Sequence, residues 1–165
     1  MVAGVEFGGL RRYVSATTFS SLPLMKPRIA VLGCGYWGSN HIRTLKALGA
    51  LYAVSDVNSA RAEGFASEQD CLAIEPEALF FRDDVDAIVM ALPPQFHADT
   101  AVRAVENGKD VLVEKPVALT VPDAERAVKA AHDNGRVYMV GHVLRFHPAF
   151  ETLKALIDKG ELGEV

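Results

Sequence analysis

From Arg28 onward, short apolar runs alternate with stretches whose apolar residues recur every three or four positions. The runs are Arg28 to Leu32, Leu51 to Ser55, Leu72 to Ile74, Asp86 to Ala91, Asp110 to Val113 and Val137 to Val140. Each is too short for a helix and reads as a strand. The near-continuous Ala87-Ile88-Val89-Met90 suits a central parallel strand buried on both faces. Between them the spacing predicts helices over Tyr36–Leu48, from a cap at Asn58 to about Ser67, over Pro76–Phe80 and from about Gln95 to Glu106. A fifth helix starts at the Thr120 cap, with Pro122 in its first turn and Asp123 at the box position. Ala124, Ala127, Val128 and Ala131 form its apolar face, and Asn134-Gly135 ends it. Pro148 opens a last helix with Phe150, Leu153 and Ile157 on one side, and Gly160 to Val165 reads as the approach to a further strand. Strand and helix in strict alternation predict the α/β class, a doubly wound parallel sheet with helices on both faces.

Composition narrows the partners. Hydrophobic residues are 50%, charged residues 23%, and the formal net charge is −4. No basic block is present, so nucleic acid and anionic membrane are not expected partners. No apolar run is long enough to span a bilayer. Only two cysteines occur, Cys34 and Cys71, so neither a disulfide framework nor a structural zinc site is expected, and a reducing, cytoplasmic compartment is the simplest setting. Residues 1–25 differ from the rest: they are poor in acidic residues and lack the apolar centre of a signal peptide. A transit peptide is one reading, and a disordered tail or an upstream start is the other, with Met25-Lys26-Pro27 as the natural beginning.

The chemistry gathers where strands end. Gly33-Cys34-Gly35-Tyr36-Trp37-Gly38 directly follows the first strand and opens a helix. That context turns a weak G-x-G-x-x-G match into a dinucleotide fingerprint of Rossmann type: the glycines permit a sharp turn and close backbone approach, and the helix N-terminus offers N–H groups to a pyrophosphate. Asp56, at the end of the second strand, lies near the expected offset of about 20 residues for the ribose-binding acid. Its carboxylate would accept from ribose hydroxyls and repel a 2′-phosphate, which favours NAD over NADP. The nearest base, Arg61, falls within the following helix. Leu92-Pro93-Pro94 and His97 follow the fourth strand, where open α/β sheets bind ligands. Glu114-Lys115-Pro116 ends the fifth, where Lys115 could orient or protonate a substrate hydroxyl.

These motifs together, G-C-G-Y-W-G, L-P-P-Q-F-H, V-E-N-G-K-D-V-L-V-E-K-P and G-H-V-L-R-F-H-P, resemble the Gfo/Idh/MocA oxidoreductases over Lys26 to Val165. The resemblance implies an enzyme using NAD or NADP on sugars, inositols or sugar nucleotides, with Lys115 as the lysine at the hydride-transfer site. It places Gly33, Gly35, Tyr36, Trp37 and Gly38 along the pyrophosphate and Glu114 on the nicotinamide ribose. It also makes Lys115-Pro116 a candidate cis peptide. Gly141 to Pro148 looks like the UDP-N-acetylhexosamine or uronate 3-dehydrogenase branch. There His142 could line the nicotinamide pocket and Arg145 could pair with a substrate carboxylate or phosphate, whereas Phe146 is expected in the core.

The family pattern implies residues 26–147 as the dinucleotide domain and 148–165 as a linking helix and the start of a second α/β domain. The chain would be truncated before that domain, and the full-length protein would be a homo-oligomer. A non-catalytic NAD-binding module is the alternative. A methyltransferase, whose glycine loop also follows a first strand, is disfavoured by E-K-P and the proline pair.

Overall fold

Six parallel strands and six α-helices alternate along residues 26–164, the part of the chain that the computed structural model describes. The expectation for residues 1–25 lies outside them. The order is β1 (Ile29–Leu32), α1 (Tyr36–Leu48), β2 (Leu51–Ser55), α2 (Ser59–Gln69), β3 (Leu72–Ala73), α3 (Pro76–Leu79), β4 (Ala87–Met90), α4 (His97–Glu106), β5 (Asp110–Val113), α5 (Val121–Asp133), β6 (Tyr138–Val140) and α6 (Pro148–Asp158). The strands pair as β3-β2-β1-β4-β5-β6, all parallel. The chain first winds outward through β2 and β3, then returns to the other side of β1. The reversal puts the topological switch point between β1 and β4, where such sheets bind ligands at the carboxyl ends of their strands.

Alternating side chains feed two cores. Ala30, Leu32, Ile88, Met90, Val111 and Val113 meet Leu79 of α3, Ala101, Ala104 and Val105 of α4 and Ala131 of α5. Val31, Val54 and Val89 meet Ile42 and Leu45 of α1 and Ala62 and Ala66 of α2. Small residues on α2, α4 and α5 let those helices lie close to the sheet. The caps match the sequence: Asn58 Oδ1 accepts from Arg61 N at 3.0 Å, and Thr120 Oγ1 accepts from Asp123 N at 3.3 Å.

The register levels one edge of the sheet. Leu32 pairs with both Ser55 and Met90, Met90 with Val113, and Val113 with Val140. The next residue on each strand therefore falls on one line: Asp56, Gly33, Ala91, Glu114 and Gly141. With strands about 4.8 Å apart, Asp56 and Glu114 are separated by three spacings, about 14 Å.

Some expectations change. Pro94–Phe96 forms a 3-10 turn and α4 proper begins at His97, two residues later than expected. Val128 is exposed, since the helix turns Ala127 and Ala131, with Ala130 beside them, toward the core. Phe146 is 66% exposed rather than in the core, sitting in a 3-10 turn (Val143–Phe146) beyond the last strand. Gly160 to Leu162 makes a turn, and no strand follows it among the described residues.

Candidate functional site

The glycine loop is shaped by close approach. Gly33 has φ +94°, and a Cβ there would lie 2.5 Å from the Ala91 carbonyl oxygen of the neighbouring strand. A Cβ on Gly38 would lie 1.8 Å from the Gly33 carbonyl oxygen, so only glycine lets α1 fold back onto the turn. At Gly35, by contrast, nothing lies within 4 Å of an added Cβ. The loop is tight beneath and open above. Gly35 caps α1 without a side-chain acceptor, and the first turn holds no acidic residue. The free N–H groups and the positive end of the dipole face that opening, as an anionic pyrophosphate requires.

Burial, and then the nearby Asp56 charge, pushes the Cys34 thiol up to about 11. Cys34 therefore stays neutral at physiological pH and adds no repulsion for a phosphate.

Asp56 is almost fully buried and already engaged. Its Oδ2 accepts from Cys34 N at 2.7 Å and from Arg61 Nη1 at 3.4 Å, and its Oδ1 accepts from Asn58 N at 2.8 Å. The carboxylate thus ties the glycine loop to the end of β2. Of its roughly four lone-pair sites, three protein donors leave about one. A grip on both hydroxyls of a ribose requires Arg61 to swing aside. Arg61 sits in the first turn of α2 and lines the cavity, although the sequence suggested a base set back within a helix.

Glu114 and Lys115 close the other end. Glu114 Oε1 accepts from His41 Nε2 at 2.8 Å, and Oε2 accepts from the Lys115 backbone N–H at 3.2 Å. The Lys115 ammonium lies 6.0 Å from the centroid of the Trp37 ring, which meets Tyr36 edge-on at 5.8 Å. The Lys115-Pro116 bond is cis.

One cavity of about 520 Å³ joins these groups, lined by Gly33, Gly35, Tyr36, Trp37, Asp56, Arg61, Leu92, Pro93, Pro94, Glu114 and Lys115 among others. Four expected site residues do not line it, and the first, Gly38, is buried beneath the loop, where its missing Cβ makes room for the Gly33 carbonyl. His97 is fully buried, with its Nδ1 2.6 Å from the Pro116 carbonyl oxygen and its Nε2 2.8 Å from that of Leu92. It braces the two loops from beneath instead of facing a ligand. His142 and Arg145 are exposed and do not line the cavity, because the 3-10 turn after β6 carries them off its rim. His41 was not signalled by the sequence: it is 73 positions from Glu114, and only the fold joins them. Among the described residues no group of three His, Cys, Asp or Glu side chains could hold a metal ion, and no helix is long and apolar enough to cross a membrane.

Residues 27–142 match the model of the GFO_IDH_MocA family, described as an oxidoreductase family with an NAD-binding Rossmann fold. The chain is 38% identical over 145 residues to an inositol 2-dehydrogenase of Saccharopolyspora erythraea, covering 84% of this chain and 43% of that one. It is 31% identical over 137 residues to a 2,7-anhydro-N-acetylneuraminate hydratase of Mediterraneibacter gnavus, covering 82% and 37%. A crystal structure of a 3-ketoreductase from Actinomadura kijaniata, in complex with NADP and TDP-benzene, superposes with a TM-score of 0.77 at 31% identity, covering 82% and 43%. The chain thus spans less than half the length of the relatives it matches.

Proposed function

Because the chain belongs to the Gfo/Idh/MocA oxidoreductase family, we propose that it binds NAD across the level carboxyl ends of β2, β1, β4 and β5 and serves the transfer of a hydride to or from a hydroxyl-bearing carbon of a sugar, inositol or sugar nucleotide. The observation that carries this reading is the convergence of an open glycine loop, a ribose-suited acid and a lysine on one cavity. The span of about 14 Å from Asp56 to Glu114 suits an extended dinucleotide.

In this reading residues 26–147 form the cofactor unit and α6 leads away from it. Asp56 receives the adenosine ribose, and the first turn of α1 receives the pyrophosphate. When bound, the nicotinamide supplies or accepts the hydride. Lys115, exposed at the mouth and held near Trp37, orients the substrate hydroxyl and exchanges a proton with it. Leu92, Pro93 and Pro94 give the cavity a stiff apolar wall. A reducing, cytoplasmic setting suits the two free thiols.

NAD is the expected cofactor, yet Arg61 at 3.4 Å from Asp56 supplies a cation that a 2′-phosphate could engage. The substrate assignment is tested with the full-length protein, NAD and a panel of inositols and nucleoside-diphosphate sugars, following NADH absorbance. Turnover that falls about 10²- to 10⁴-fold in Lys115→Ala supports the role given to the lysine. Unchanged turnover in that variant contradicts it.

A further inference from the structure

Glu114 is held by two hydrogen bonds, one from α1 and one from its own strand end, and is closely approached by the backbone after β6. Its Oε1 is 2.8 Å from His41 Nε2 on α1, and its Oε2 is 3.2 Å from the backbone N–H at the end of β5. From β6, a Cβ added to Gly141 would stand 3.1–3.2 Å from the carboxylate oxygens and carbon. Only 12% of the Glu114 side chain is exposed, and 24% of that of His41. A carboxylate only accepts, so the hydrogen of this contact sits on Nε2. Two donors on a group with about four lone-pair sites leave about two free. Glu114 lines the cavity, so the free sites are available to a ligand there. Surface glutamates need no such mounting. A carboxylate fixed by a histidine, a backbone N–H and an absent Cβ is held in one orientation.

We propose that His41 and Gly141 are positioning residues that aim the Glu114 carboxylate into the cavity, as an acceptor for the ribose hydroxyls on the nicotinamide half of the dinucleotide. The proposal rests on the dinucleotide reading above. It follows from the spacing: Asp56 marks one end of the cavity, Glu114 lies three strands away, and a second diol reaches only the far end. His41 acts through Glu114 and touches no ligand. Gly141 acts by leaving room.

The test compares NADH with ADP by isothermal titration, because ADP occupies the Asp56 end and falls short of Glu114. For His41→Leu the Kd for NADH is expected to rise about tenfold, and that for ADP to stay within about twofold. His41→Gln, whose amide can still donate to Oε1, is expected to restore NADH binding to within about threefold of the native value. Gly141→Ala, a second variant outside α1, is expected to show the same NADH-selective loss. Equal losses for both ligands in both variants, or no loss for NADH, overturn the proposal while leaving the dinucleotide reading intact. A native chain that binds neither NADH nor ADP overturns both.

Discussion

At the scale of single residues, Asp56 carries two duties at once. It holds the glycine loop through Cys34 N and the start of α2 through Asn58 N, and in the proposed reading it also receives a ribose. Removing its side chain therefore damages loop and ligand site together, and Asp56→Asn is the cleaner probe. The amide oxygen can still accept a backbone N–H, but the charge that repels a 2′-phosphate is gone. That variant is expected to shift the NAD-to-NADP affinity ratio about tenfold toward NADP, and Arg61→Ala to shift it the other way, each read by competition binding. Movement of both ratios in the same direction would contradict the opposed roles given to the pair. Asp56 was legible in the sequence from its offset after the glycines. The partnership with Arg61 was not, because a residue number does not reveal which way a long side chain leaves the first turn of a helix.

At the scale of elements, strand ends and caps were legible because they follow from apolar runs, glycines and capping residues that act locally. What escaped the sequence depends on contacts between distant segments. His97 illustrates this. Its place after a proline pair suggested a ligand contact, yet the fold turns it inward. There it joins the loop after β4, through the Leu92 carbonyl, to the loop after β5, through the Pro116 carbonyl. A ring with one N–H donates to one of these two carbonyls, so His97→Phe takes away that hydrogen bond and the ring that separates the two loops, at a cost of about 1–3 kcal/mol. The expected result is a lower Tm with a weakened cavity, and a variant as stable as the native chain would contradict the bracing role.

The opposite edge of the sheet has its own clamp, Arg28 on Asp86. The Arg28 side-chain hydrogen bonds, and then its backbone N–H, hold the Asp86 carboxyl below its ordinary range. This contribution is fully present above the unfolded-state pKa of about 3.9 and is lost as pH falls through the lower folded value. Asp86→Asn is therefore expected to flatten the fall in Tm below about pH 4, and an unchanged acid limb would contradict the clamp.

Across the whole molecule, the doubly wound sheet and its ligand edge were readable from alternation and one glycine motif. The composition of the outer surface was less so. Leu144, Phe146, Phe150 and Leu153 are all exposed near the end of the described chain, although Phe146 was expected in the core and Phe150 and Leu153 share the periodic apolar side of the last helix. Periodicity reports which residues want burial and says nothing about what covers them.

The central claim is that a dinucleotide lies along the line from Asp56 past the glycine loop to Glu114. Trp37 is the chain's one tryptophan and lines that cavity, so its emission reports directly on the site. Titration with NADH is expected to quench Trp37 saturably, with energy transfer to the reduced nicotinamide, and addition of excess ADP is expected to reverse it. Unchanged Trp37 emission at millimolar NADH would contradict the account.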